Sequence, residues 1–357
     1  MMLLVSTWCA VVAARPGNES FPAKAADWAR DNHLEWFVNW AEQQWYSRKA
    51  PPEGGVPSQA IVAPATTIAV TPTVPVIPFS EFPLPVAPLV AEPIENEGVW
   101  IPMGPVVAGH PTMAAAQLRP DAVHTSVLGA LVWMDPKLVR FQHVPGTVEP
   151  GGEWSTGGTV LPEHRATWLA AFNGGFRMRD ARGGFFAEGR ESHPLEEGSA
   201  SFVVRTDGTV DVGVWGRDAV MGPDIASVRQ NLALVLDGGQ PVPGLDDNDR
   251  AQWGHTLGNK TLVWRSGVGV RADGTLIYAA SNGLSISTLA GMLQVAGCVR
   301  AMELDINPEW VTFNVFEHPD PADPNIIEPS KLLPDMQRNA HRFLDPDSRD
   351  FVAVFVR

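Results

Sequence analysis

Residues 265–310 read RSGVGVRADGTLIYAASNGLSISTLAGMLQVAGCVRAMELDINPEW, and the fold is decided by how this stretch is parsed. Asp273-Gly274 stands between two apolar runs, the signature of a tight hairpin. Ser285 or Ser287 is placed to cap a helix on which Leu289, Met292, Leu293 and Ala296 recur at helical spacing, and Gly297 supplies its stop. The strand that follows puts Val299, Ala301, Glu303 and Asp305 on one face, with Met302, Leu304 and Ile306 on the other. Two carboxylates on a face otherwise made of small apolar residues are the first candidates for chemistry. Two residues apart on a strand, they would emerge about 6–7 Å from each other. Glycoside cleavage uses two carboxyl groups separated by roughly 5–5.5 Å or 6.5–9.5 Å, according to stereochemical class. A division between one acid here and another across a cleft, Asp237 or Glu188, fits the chemistry better. The structural alternative pairs both acids with arginines such as Arg265 or Arg300.

Outward from this stretch, strands dominate. Leu169–Phe172 is a short apolar strand running directly into Asn173-Gly174-Gly175-Phe176. Residues 201–214 form a hairpin turning at Asp207-Gly208, residues 231–236 a strand ending in Asp237-Gly238-Gly239, and residues 351–356 a closing strand. Residues 127–139 add a further strand and turn. The expected class is α+β: a mixed, mostly antiparallel sheet with few helices, in one large domain over residues 100–357. An amphipathic helix over residues 20–50 and a Pro-rich segment over residues 51–99 precede it. Leu34, Phe37, Val38, Ala41 and Trp45 make the helix's apolar stripe, suited to docking on the domain or to lying at a membrane interface. Eleven prolines between Pro51 and Pro93 exclude a helix there and predict an extended spacer or a segment draped over a surface. Residues 1–19 begin with an apolar run, shorter than the roughly 20 residues that span a membrane. It resembles the remnant of an export signal or membrane anchor whose start lies upstream.

With 45% hydrophobic residues over 357 positions, the chain can bury a sizeable core. Its net charge of −14 excludes a nucleic-acid backbone or an anionic membrane surface as a general partner. Cys9 and Cys298 give neither a disulfide framework nor a zinc spacing. There is no phosphate loop, no dinucleotide fingerprint and no nucleophile elbow. Among the scattered histidines His255, in QWGHTLGN, is the one placed to face a cleft. Two glycines after a strand let backbone N–H groups approach a ligand, with Asn173 beside Gly174 and Gly175 as a further donor. Arg177, Arg179, Arg182 and Arg190 follow, and guanidinium forks suit phosphate. No metal-ligand set stands out, although a hard cation such as Ca²⁺ would find oxygens at Asp305 and nearby carbonyls.

Taken together, these motifs resemble those of the phosphodiester glycosidase family. Asn173 to Phe176 match its first signature. Arg265, Gly269, Asp273 and Gly274 match the second, Arg-x-x-x-Gly-x-x-x-Asp-Gly. The helix from Leu289 to Gly297 with Ala301, Leu304 and Asp305 matches the third. Where the family continues Asn-Leu-Asp-Gly-Gly-Gly-Ser, this chain has Glu303-Leu304-Asp305-Ile306-Asn307-Pro308, so the glycine floor gives way to bulkier residues and an added acid. The run ELDINPEWVTFNVF looks like the mark of a divergent bacterial, actinobacterial branch. The resemblance implies an extracytoplasmic hydrolase, membrane-anchored or secreted, acting on the sugar-1-phosphodiester of a carbohydrate or phosphoglycan, with no cofactor. It implies Asp305, Glu303 and Asn173 as catalytic groups. Gly174, Gly175, Arg177, Arg265, Asp237, Asn307 and His255 would bind substrate, and Trp215, Trp253 or Trp310 would stack on a sugar. The contrasting reading is a non-catalytic module that binds phosphoglycan or serves assembly of an envelope polymer, which the lost glycine run favours.

Overall fold

The hairpin and helix of residues 265–310 form as their turn chemistry requires. Gly274 takes φ +85°, and Asp273 Oδ1 accepts from the Thr275 N–H at 3.0 Å. This turn joins the antiparallel strands Val263–Arg271 and Leu276–Leu284. Ser285 caps the helix Ile286–Val295 in a reciprocal box with Thr288, and Gly297 ends it at φ +85°. Strand Cys298–Asp305 then returns along Val263–Arg271.

The computed structural model describes residues 2–15, 19–34, 36–38, 41, 51–58, 69–70, 81–246, 252–254, 262–320, 322–323 and 325–357. Their strands make one nine-stranded sheet and two five-stranded sheets. Among the strand pairs, Ala69–Val70 on Ile101–Val107 is parallel and the others are antiparallel. The class is α+β with a mixed, mostly antiparallel arrangement and few helices.

Side chains alternate across the large sheet to feed two cores. Leu276, Tyr278, Ala280, Met302 and Leu304 point into the main core, which they share with Phe172, Phe202 and Phe313 from the smaller sheets. Ile277, Ala279 and Ala301 point the other way, under Leu289, Met292 and Leu293 of the helix. Covered on both faces, these strands are apolar along their whole length. The third layer closes on the far side, where Trp168 stacks on Phe316 at 3.8 Å between centroids.

The Pro-rich segment lies partly on this frame. Phe82 packs edge-on against Trp133 at 5.8 Å, Trp100 Nε1 donates to the Leu84 carbonyl at 3.0 Å, and Glu97 pairs with Arg119 in a buried ion pair. Residues 81–99 are thus draped over the nine-stranded sheet.

At the N-terminus two helices, Met2–Ala13 and Phe21–Asp31, pack together through Trp8, which meets Phe21 and Trp28 edge-on. No helix among the described residues is long and apolar enough to cross a membrane. The expected long helix from residue 20 breaks at Asp31: Asn32 Nδ2 donates back to the Trp28 carbonyl at 2.8 Å, and His33 turns to φ +63°. Val38 from the expected stripe is buried, Leu34 and Phe37 are exposed, and Trp45 lies outside the described residues.

Trp168 has no solvent exposure and fills the third layer. Trp168→Ala is expected to lower stability by about 3–5 kcal/mol through lost transfer energy and the cavity left behind. Denaturant unfolding monitored by far-UV circular dichroism measures it.

Candidate active site

Three strand ends meet at the candidate site. Strand Trp168–Asn173 runs between Phe313–Glu317 and Phe351–Val356, and it stops where Gly174-Gly175 begins. Gly174 is required by what lies beneath it, and Gly175 sits tightly over the same pair. A Cβ on Gly174 would stand 2.0 Å from Asp350 Oδ2, and one on Gly175 would stand 3.3 Å from the Arg229 guanidinium. Arg229 and Asp350 form a fully buried pair, Nε to Oδ2 at 2.9 Å. The double glycine is therefore a seat over a buried ion pair.

Asn173 carries its amide inward. Nδ2 donates to Ser266 Oγ at 3.1 Å, while Oδ1 accepts from the Thr312 N–H at 3.3 Å and the Tyr278 hydroxyl at 3.4 Å. The Gly174 N–H is likewise taken, by the Asp350 carbonyl at 3.1 Å. The expectation of ligand donors at Asn173 and Gly174 is corrected: both are struts that tie one sheet to the other. Asn231, which the sequence reading treated only as a strand start, links this turn to the acid strand. Its Oδ1 accepts from the Phe176 N–H at 3.1 Å, and its Nδ2 donates to the Glu303 carbonyl at 2.7 Å.

The two acids keep different company. Ser266 registers with Asp305 but Gly267 with Glu303, so a bulge interrupts the alternation that would have placed both carboxylates on one face. Glu303 has no solvent exposure and is ion-paired with Arg265, whose Nε donates to the Leu284 carbonyl at 3.0 Å. Its Oε2 has no hydrogen-bond partner among the described residues. Burial pushes this carboxyl up to about 7 against the pull of Arg265. Arg265 is thus the counter-ion of Glu303, which corrects its expected place as a phosphate clamp.

Asp305 ends the strand. Its Oδ1 accepts from the Ile306 and Asn307 N–H groups at 2.8 and 2.9 Å, and its Oδ2 faces Arg349 Nη2 at 3.5 Å. Burial raises it to about 6, opposed by Arg349 and by those two amides. Asn307 lies beside it, its own Oδ1 accepting from the Glu309 N–H at 2.9 Å.

Arg349 belongs to a C-terminal cluster with no counterpart in the sequence reading. Its guanidinium lies 4.4 Å over the Trp310 ring, and Nη2 donates to the Gly175 carbonyl at 3.3 Å. Arg342 holds Asp347 at 2.7 Å and Thr312 Oγ1 at 2.8 Å. Trp310 is buried beneath arginines, so its face is not offered to a sugar; Trp215 and Trp253 are buried as well. The predicted arginines also disperse. Arg177 pairs with Asp27 and lies 3.8 Å from Asp31, Arg179 pairs with Asp31 at 2.9 Å, and Arg190 stacks on Trp154. Burial and the neighbouring Arg349 lower Arg177 to about 9.

Asp237 is elsewhere. It pairs with Arg217 at 2.6 Å, next to the strand's other end, where Gly239 bonds to Val299. That is roughly 15–20 Å along the strand from Asp305, and Glu188 caps Ser155 on a surface hairpin. Neither faces Asp305, so the division of acids across a cleft fails for both. His255 lies outside the described residues. Asn173, Gly174, Gly175, Asn307 and Asp305 do converge, with Arg177 at the rim.

Residues 166–305 match the phosphodiester glycosidase family. The matched segment runs from the strand ahead of Asn173 to Asp305 itself, which is the part carrying the three signatures. In structure the chain is similar to the catalytic domain of zebrafish N-acetylglucosamine-1-phosphodiester alpha-N-acetylglucosaminidase, at 16% identity over 70% of this chain and 85% of that one, TM-score 0.45. It is also similar to a protein from Synechocystis, at 12% identity over 72% and 64%, TM-score 0.41. No curated protein matches it significantly.

Because Glu303 binds its proton more tightly folded than unfolded, it favours folding below the ordinary carboxylate range. That contribution is lost as pH rises through about 7. Glu303→Gln is expected to be less stable than the parent above about pH 7, where Glu303 is ionised and its loss leaves Arg265 without a counter-ion. It should also lose less stability between about pH 5 and 8 than the parent does. Thermal melts across that range read both effects, and parallel curves would refute the second.

Proposed function

We propose that this protein is an extracytoplasmic glycosidase that hydrolyses a sugar-1-phosphodiester in an envelope or extracellular glycan, in a bacterial setting. The family match supports the reaction class, and the apolar N-terminal run supports the location. One observation carries the reading: Asp305 is a buried carboxyl, raised to about 6, at the junction of the three strand ends and beside the Arg349 guanidinium.

In this reading the C1–O bond breaks toward the phosphate. Protonated Asp305 gives its proton to the departing oxygen, water adds at C1 and loses a proton that restores the acid form of Asp305, and the products are free sugar and a phosphate monoester. Arg349 offsets the charge gathering on the leaving group. Glu303 acts from behind, its contact with Arg265 holding the strand that presents Asp305. No cofactor enters the scheme.

A second reading is favoured by one fact. Glu303 is sealed by Arg265 and Asp305 is held by two backbone amides, which also suits a module that binds phosphoglycan without cleaving it.

Asp305→Asn should keep the melting temperature within a few degrees and lower turnover of an aryl sugar-1-phosphodiester by about 10²–10⁴-fold. In the parent, kcat/KM should fall about tenfold per pH unit above about 6 as the acid form disappears. Full turnover by the variant would remove Asp305 from the chemistry. Sugar phosphate binding without sugar release by the parent would establish the binding module instead.

A further inference from the structure

Cleavage at an anomeric carbon calls for two carboxyl groups, one on each side of the bond. Asp305 supplies the first. Around it, Glu303, Glu309, Asp347 and Asp350 are buried and each is held by its own arginine. A buried carboxylate tied to a counter-ion is poorly placed to take a proton from water and return it to solvent. Glu149 is different. It is partly exposed and makes no ion pair among the described residues.

Its place is fixed by the loop that carries it. Strand Val139–Val144 leads into residues 145–150, which turn back where the Gly146 N–H donates to the Glu149 carbonyl at 2.9 Å. A Cβ on Gly146 would stand 2.5 Å from the carbonyl carbon of Arg349, so glycine lets this loop lie flat on the segment that presents Arg349. The Thr147 N–H donates to the Asp347 carbonyl at 2.9 Å, and the Val148 and Glu149 N–H groups donate to the Ser348 carbonyl at 3.1 and 2.9 Å. These bonds seat Glu149 beside Arg349.

From there both side chains reach the same turn. Arg349 meets the Gly175 carbonyl and Asp305, and Glu149 Oε2 accepts from the Met178 N–H at 3.1 Å. Glu149 Oε1 has no partner among the described residues. The three steps from Gly175 to Met178 cover at most about 10 Å. That is the scale of the separation, roughly 6.5–9.5 Å, that leaves room for water between two carboxyl groups.

We propose that Glu149 is the second catalytic carboxylate, the base that takes the proton from the attacking water. The inference rests on the glycosidase reading for its reaction. Water bonds to C1 as the bond from C1 to the phosphate oxygen breaks, Asp305 protonates the departing oxygen, and Glu149 Oε1 receives the proton that water gives up. That proton passes to solvent and Asp305 is reprotonated from solvent, so both carboxyl groups return to their starting states. The Met178 amide holds one oxygen of Glu149 still and leaves the other for water.

Steady-state kinetics with an aryl sugar-1-phosphodiester, read as release of the aryl phosphate, tests the assignment. Glu149→Gln keeps an oxygen for the Met178 N–H, so its melting temperature should stay within a few degrees of the parent's. Its kcat should fall about 10²–10⁴-fold with KM little changed. Azide has no proton to lose when it attacks C1. Adding it should raise the variant's rate about tenfold or more and yield the glycosyl azide, while leaving Asp305→Asn unrescued. If Glu149→Gln does not fold, Glu149→Asp, which withdraws the charge by one carbon, should lose about tenfold in kcat and respond to azide in the same sense. Parent-level kcat in Glu149→Gln, or a loss in the folded variant that azide does not restore, would overturn the assignment and leave the hydrolase reading standing. A parent that releases no aryl phosphate would remove the hydrolase reading, and this assignment with it.

Discussion

Glu303 lies on a strand with neighbours on both edges and packed layers on both faces, so its charge cannot reach water. A carboxylate in such a place must be matched, protonated, or both, because uncompensated burial of an ion is worth several kcal/mol. Arg265 on the adjacent strand supplies the match. That pair in turn fixes the register of Val263–Arg271 against Cys298–Asp305: a slip of one residue would carry Glu303 away from Arg265. The bulge at Ser266 and Gly267 is placed just beyond the pair and re-aims the end of the strand. Asp305 is left among the turn, the C-terminal cluster and the loop to Trp310, while Glu303 stays sealed behind it.

What the sequence made legible was local. The Asp273-Gly274 turn, the Ser285 cap, the Gly297 stop and the strand into Asn173-Gly174-Gly175 each follow from residues within a few positions of one another. The helix after residue 20 ended early for an equally local reason that periodicity does not register, since Asn32 closes it back on Trp28. The shared face of Glu303 and Asp305 failed because a single bulge inverts a period of two. The contacts that take up Asn173 and the Gly174 N–H were not legible because their partners are distant in sequence. Asn173 bonds Ser266, ninety-three residues on, and the Arg229–Asp350 pair under Gly174 and Gly175 spans a separation of 121. Three adjacent buried polar residues, Arg229, Gln230 and Asn231, opening an apolar strand were the signal available for that part of the site. Asp347 to Asp350 offered only an alternation of charges, which on a surface loop would carry no meaning.

The placement of charge also separates the site from the rest of the molecule. A net charge of −14 repels an anionic ligand in the far field, and screening confines that repulsion to roughly a Debye length, about 8–10 Å at ordinary ionic strength. Arg177 from the end of one strand's turn and Arg349 from the approach to another come near each other over a floor of ion pairs that are already internally neutral. The neutral floor matters as much as the two cations. Had Asp350 or Asp347 lacked its arginine, the field beside Asp305 would be negative, its carboxyl would be driven further up, and an anion would be excluded. Gly174 and Gly175 allow the turn to descend onto Arg229 and Asp350, and so they set the height at which the Gly175 carbonyl meets Arg349. A side chain at Gly174 would lift the turn and separate the guanidinium from Asp305, even though that glycine does not touch the acid.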